Sequence, residues 1–386
     1  MTGYRVAVDF SSHNAEVKEV WSAYYSGRPI RVPVYFNMNP RMVLLDPALN
    51  REGITFKDYF ESPEVMAKVQ LKFRKWVRFN VPQDREMGYP EDNWGGCWVD
   101  FQNSYEALYF GCRLFYWEGS LPDIEPVLKD RKELLEELNP DPEDNPFLKK
   151  VLDYYDYFLS ISDELYEGVP IGKPQIPLTG TDGPFTVSAQ IRGASQLCID
   201  IYEDPDFVHR LMDFVTDATI KRITYIIHRF GLEYPRESWG FADDSIELIS
   251  EKVYKEFVLP YHKRLVKTFS SGGPNMIHLC GRASHHFLTI KEELNVMDFD
   301  TGYPTNLGEM RKVLGPEVTL RGNISPMLLL QGPVYRIEEE VIRLLRSGVM
   351  EGGRFILCDG NNVAPMTPVE HLKVMYDTGK RYGRYS

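Results

Sequence analysis

From about residue 176 onward, short apolar segments alternate with amphipathic helical segments, and a parallel sheet wrapped by helices is the arrangement that satisfies this pattern. The strand candidates in this stretch are 176–178, 238–242, 276–280, 296–299, 318–321 and 355–358. An earlier one covers 32–36, and another lies at or just before 97–101. Eight is the number a closed (β/α)8 barrel needs. Helix ends are readable between them: Asp204-Pro205 opens an apolar run that Gly231 stops, and Thr367-Pro368-Val369-Glu370 has the form of a capping box. An open doubly wound sheet shares the alternation. When it binds a dinucleotide, however, it carries a Gly-rich turn after its first strand, and here that turn reads Asn37-Met38-Asn39-Pro40-Arg41. The expectation is therefore an α/β TIM barrel forming one domain over 1–386. About 1–170 would be an elaborated N-terminal part and lid, and 171–386 the regular βα units.

A chain of 386 residues, 43% hydrophobic and 26% charged, can bury a large core. Its formal net charge of −12 argues against a nucleic-acid groove, which needs clustered Lys and Arg. Residues 1–13 contain no apolar stretch of signal-peptide length, and no run of membrane-spanning length is present. The five cysteines are odd in number and scattered, which fits reduced thiols in a cytoplasm. Aromatics reach 13%, mostly as core, and an exposed patch of them would mark a homodimer face.

In a barrel, chemistry collects at the C-terminal ends of the strands. The segment Ile277-His278-Leu279-Cys280-Gly281 stands out there, because strand side chains alternate and so His278 and Cys280 point the same way. An imidazole and a thiolate two residues apart suit two ligands of zinc. Cys358 ends the last strand and would face the same cavity as a third ligand, leaving a fourth position open for catalysis. After the fourth strand, Asp243 and Asp244 offer carboxylates, Asp244 being preferred as the catalytic group. Asn323, in the turn after the seventh strand, can hydrogen-bond a substrate. The turn at Thr181-Asp182-Gly183-Pro184 reads as architectural, and His285 and His286 as surface or supporting residues.

Gly183-Pro184-Phe185-Thr186, Asn323-Ile324-Ser325-Pro326 and Pro365-Met366-Thr367-Pro368, with a fainter Arg31-Val32-Pro33-Val34, resemble the uroporphyrinogen decarboxylase superfamily in order and spacing. The resemblance covers most of the chain from about residue 178 and implies the same barrel, with the site in its mouth. Decarboxylases of this group carry Arg-Gln-Ala-Gly-Arg after the first strand, of which only Arg41 remains here. Their Gly-His-Gly turn after the last strand is replaced by Gly360-Asn361-Asn362. The zinc methyltransferases of the superfamily instead show His-x-Cys-Gly after the fifth strand, which His278-Leu279-Cys280-Gly281 matches. Their third ligand, a Cys, falls on Asn361, with Cys358 three residues upstream.

The resemblance thus implies zinc held by His278, Cys280 and Cys358, with Asp243, Asn323, Arg41 and Asn361 contacting substrate. It also implies methyl transfer between a small-molecule donor or acceptor and a corrinoid (cobalamin) carried by a partner protein. The alternatives are a carboxy-lyase acting on an acidic substrate and a binding barrel without catalysis.

Overall fold

The computed structural model describes residues 9–177 and 179–385. Five parallel strands form one sheet in chain order: β1 (Gly240–Ala242), β2 (Asn275–Leu279), β3 (Val296–Thr301), β4 (Thr319–Ile324) and β5 (Phe355–Asp359). Each overlaps the segment expected from the sequence. On one edge Val34 bridges Leu357 of β5, and on the other Asp182 bridges Ala242 of β1, both in parallel. The sheet therefore continues through the first and third expected staves by single bridges and stays open between them.

Side chains replace the missing ladder there. Val34 N–H donates to Asp84 Oδ2 at 2.7 Å and Phe36 N–H to Gln83 Oε1 at 3.0 Å. Trp98 N–H donates to Gln70 Oε1 at 2.9 Å, while Gln70 Nε2 returns a bond to the Trp98 carbonyl at 2.6 Å. Cys97 O accepts from Gln175 N at 3.0 Å, a backbone link between the second stave and the residue just before the third. The segments 32–36 and 97–101 thus do not ladder with each other, because the N–H groups of Val34, Phe36 and Trp98 already have side-chain partners. The third stave pairs at Asp182 rather than at 176–178. Pro174 and Pro177 have no N–H to give a ladder, and Leu178 lies outside the described residues, as do Met1–Val8 of the expected leaderless N-terminus.

Helices lie outside the sheet: α1 (Phe10–Tyr25), α2 (Pro63–Asn80), α3 (Pro146–Ser160), α4 (Pro184–Arg192), α5 (Pro205–Phe230), α6 (Leu259–Phe269) and α7 (Val369–Tyr382) are the longer ones that matter here. The ends of α5 fall where the sequence put them, with Asp204 Oδ1 accepting from Phe207 N at 3.2 Å and Gly231 left-handed at φ 60°. The expected capping box at Thr367 is absent. Pro368 is the N-cap of α7, and Thr367 Oγ1 donates instead to Ala364 O at 2.7 Å. A single apolar cluster joins both halves of the chain, from Val32, Phe60, Phe101 and Phe158 to Ile226 and Leu357. Among the described residues no helix is long and apolar enough to cross a membrane.

Asp84 ties the opened side together. Its carboxylate, 0% exposed, takes a bidentate pair from Arg31 at 2.6 and 2.7 Å, the Val34 N–H and the Tyr376 hydroxyl of α7. Removing one partner of a buried pair strands the other charge. Asp84→Ala is expected to cost about 3–5 kcal/mol in urea unfolding. Cutting the exposed Lys263–Glu293 pair by Lys263→Ala is expected to cost no more than about 1 kcal/mol.

Candidate metal centre

Alternation along β2 decides what reaches the barrel mouth. Asn275, Ile277 and Leu279 are buried, while Met276 and His278 are only partly covered; Cys280 follows just beyond the strand end. In the β2–β3 register His278 lies opposite Asp300, and its Nδ1 sits 2.8 Å from Asp300 Oδ2. That bond leaves Nε2 free to face the cavity. In the β1–β2 register Ala242 lies opposite His278, so the turn after β1 brings Asp244 alongside. Asp244 Oδ1 accepts the Cys280 N–H at 2.7 Å and lies 3.8 Å from His278 Nε2. One ligand atom from each of Asp244, His278 and Cys280 falls within 4.8 Å of the others. Gly281 permits the tight turn that follows: its φ is 72°, and a Cβ there would fall 1.9 Å from Glu247 Oε2.

The centre opens into a cavity of about 560 Å³, whose wall includes Arg41, Gln102, Glu106, Asp182 and Asn361. Three carboxylates, Asp244, Asp300 and Asp182, act on His278. Burial disfavours its charged form, but the Asp300 hydrogen bond and the summed negative charge outweigh burial and raise its pKa to about 9. Cys280 is pushed up by burial and by Asp244 beside it, so without a cation its thiol stays protonated. Burial also raises Asp182 well above the usual carboxylate range, reinforced by Glu106, Asp244 and Asp243. Its place on the cavity wall puts a carboxyl that resists ionisation beside the cluster.

The structure brings together His278 and Cys280, expected as metal ligands, with Asp244, expected as the catalytic group, and places Arg41 and Asn361 on the same cavity. Arg41 is held there by Gln102 Oε1 at 2.5 Å and Asn103 Oδ1 at 2.7 Å. Three other expected residues sit elsewhere. Cys358, 0% exposed, packs with Tyr24, Tyr35 and Ile356 and does not join the cluster, where Asp244 supplies the third donor. Asp243, also 0% exposed, turns away from the mouth to cap α4. It accepts from Thr186 N and Oγ1, both at 2.7 Å, and pairs with His262 Nε2 at 2.7 Å. Asn323 spends its amide on Gly302 O at 3.0 Å and Thr305 O at 2.7 Å, pinning the loop after β3. His285 and His286 bond backbone carbonyls of Ile249 and Ile246, a supporting role as expected.

Sequence reasoning missed Asp300, Asp182 and Glu106. Asp300 was findable, because it sits near the end of an expected strand. Glu106 was not, since it lies on a short helix of the irregular half, over Tyr105–Tyr109.

The family model of uroporphyrinogen decarboxylase (URO-D) matches residues 101–382. The chain is 30% identical over 217 residues to a uroporphyrinogen decarboxylase from Myxococcus xanthus, a stretch covering 54% of this chain and 59% of that enzyme. It is 28% identical over 281 residues to a methylated-thiol–coenzyme M methyltransferase from Methanosarcina mazei, covering 71% of this chain and 69% of that one. A solved methyltransferase structure from Methanosarcina mazei superposes with a TM-score of 0.62 at 18% identity, over 95% of this chain and 98% of that one, and so shares its fold. Relatives of both reaction types are therefore similar to this chain at low identity, and they are enzymes. With most of its length matched, the chain belongs to the uroporphyrinogen decarboxylase family.

Proposed function

We propose that the protein is a zinc-dependent methyltransferase that moves a methyl group between a small substrate and a corrinoid carried by a partner protein. The observation that carries this reading is the convergence of His278, Cys280 and Asp244 within 4.8 Å at the barrel mouth. The donor set suits zinc: one imidazole, one thiol and one carboxylate leave a fourth tetrahedral position for substrate. Asp300 behind His278 supports it further, because ligating histidines usually give their other nitrogen to a carboxylate. Zinc bound there would supply a Lewis acid that deprotonates a substrate thiol or draws charge from a methyl donor's heteroatom.

The remaining work falls to the chain. Asp300 fixes the imidazole ring, and the Cys280 N–H fixes one oxygen of Asp244. Asp182, whose carboxyl is held well above the usual range, would give a proton to the heteroatom that keeps the bonding pair when the methyl group departs. Arg41 and Asn361 contact the substrate's polar groups from the cavity wall. A cytoplasmic setting belongs to this reading, since the five cysteines are free thiols. The decarboxylase reading keeps only Arg41 of its five-residue grip.

Purified protein is expected to carry about one zinc per chain by plasma mass spectrometry. His278→Ala and Cys280→Ala should each abolish it while Cys358→Ala retains it; zinc absent, or unchanged in the first two variants, sinks the proposal. Asp300→Asn should weaken zinc affinity by about 10–100-fold. Both His278 and Cys280 shed a proton to bind, and both hold it above its usual pKa here, so affinity should rise with pH. Calorimetry in buffers of different ionisation enthalpy should read about two protons released per ion near neutral pH. Methylcobalamin supplied with a thiol should lose its methyl group, read by cobalt absorbance. His278→Ala and Cys280→Ala should be inactive, whereas porphyrinogen turnover by either variant would favour decarboxylation.

A further inference from the structure

A second cavity of about 360 Å³ lies in the N-terminal half, walled by Phe73, Val77, Val81, Trp94 and Trp98 and by Arg74, Arg78 and Arg85. It borders the region of the metal centre: Phe36, Met38 and Arg85 also line a smaller cavity of about 240 Å³ whose wall includes His278, Asp300 and Asn361. Three of the four charged residues on its wall are arginines, against Glu86 alone, in a chain whose net charge is −12. Arg78 is the one paired with Glu86, at 3.8 Å.

Arg74 and Arg85 have no carboxylate within salt-bridge distance among the described residues. Arg74 gives one N–H to the Trp94 carbonyl and lies 5.0 Å over the Trp98 ring. Arg85 lies 5.1 Å over the Tyr35 ring, with its side chain toward solvent. Burial pulls the Arg74 guanidinium below its ordinary pKa, and an anionic partner would oppose that pull. Guanidiniums in a wall with indole faces suit a planar acid, whose carboxylate takes N–H donors while its ring fills the apolar part. A space of this size holds one ring, not a large ligand.

We infer that this cavity binds the carboxylate end of a single-ring aromatic acid, directing its methyl-bearing heteroatom along the shared wall toward His278. The substrate class would be methoxylated aromatic carboxylates. This rests on the methyl-transfer reading above, but its test does not pass through zinc.

Binding of 4-methoxybenzoate and of its neutral isostere 4-methoxybenzamide to the full chain can be read by tryptophan fluorescence and calorimetry, with and without added zinc. The acid should bind about tenfold or more tighter than the amide in both states. Arg74→Gln and Arg85→Gln should each lower acid affinity by about tenfold while leaving the amide unchanged. Equal affinities for acid and amide, no saturable binding of the acid, or acid affinity unchanged in both variants would overturn the inference. If Arg74→Gln fails to fold, the solvent-facing Arg85→Gln decides alone. A protein that binds the acid selectively but holds no zinc would defeat the metal reading and leave this one standing.

Discussion

The hydrogen bond between His278 Nδ1 and Asp300 determines which face of the imidazole meets the cavity, and the centre depends on it. It exists because β2 and β3 run parallel in a register that sets residue 278 opposite residue 300. A slip by one residue would turn both side chains to the helix layer. Sheet pairing therefore positions the donor atoms before any ligand arrives. The same register places Ala242 opposite His278, which lets the turn after β1 carry Asp244 to the Cys280 N–H. β2 thus gives His278 and Cys280, the turn after β1 gives Asp244 and β3 gives Asp300, a constellation that no single segment contains.

Opposite this ladder the sheet stays open, and side chains stand where strand pairing would be. Asp84, Gln83 and Gln70 satisfy N–H groups that neighbouring strands would otherwise take. Buried backbone groups must be paired, and a side-chain partner serves as well as a ladder. It also frees the local backbone from strand spacing, and space opens there. The arginine-lined cavity occupies this side, between α2 and the extended segments of residues 81–98.

Period-two alternation made His278 and Cys280 legible, because they project from a laddered strand, where the rule holds strictly. The same rule applied to Cys358 gave a direction without a depth. That thiol sits lower, among Tyr24, Tyr35 and Ile356, and the aromatic rings brought in by α1 and the first stave fill the space above which a ligand would have to reach. Asp243 and Asp244 were indistinguishable in sequence, since adjacent residues in a turn follow no period. Tertiary demand separates them: the exposed N–H groups at the start of α4 take Asp243 as their cap and leave Asp244 for the mouth. The second and third staves were misjudged for a related reason. Their pattern marks extended backbone, and whether that backbone ladders depends on Gln70, Asp84 and two prolines rather than on its own residues.

Charge is distributed along the resulting trough with a sign difference between its ends. Asp182, Glu106, Asp244 and Asp300 gather near the metal ligands, while Arg74, Arg78 and Arg85 gather at the far wall. The acidic end favours a cation and disfavours a second anion; the arginine end does the reverse. The arginine end favours the carboxylate of a small molecule that carries a neutral methylated heteroatom at its other end. Reversed, that molecule would leave two guanidiniums without a counter-charge. On the methyl-transfer reading, the arginine wall would set the substrate's orientation from charges already in place before binding.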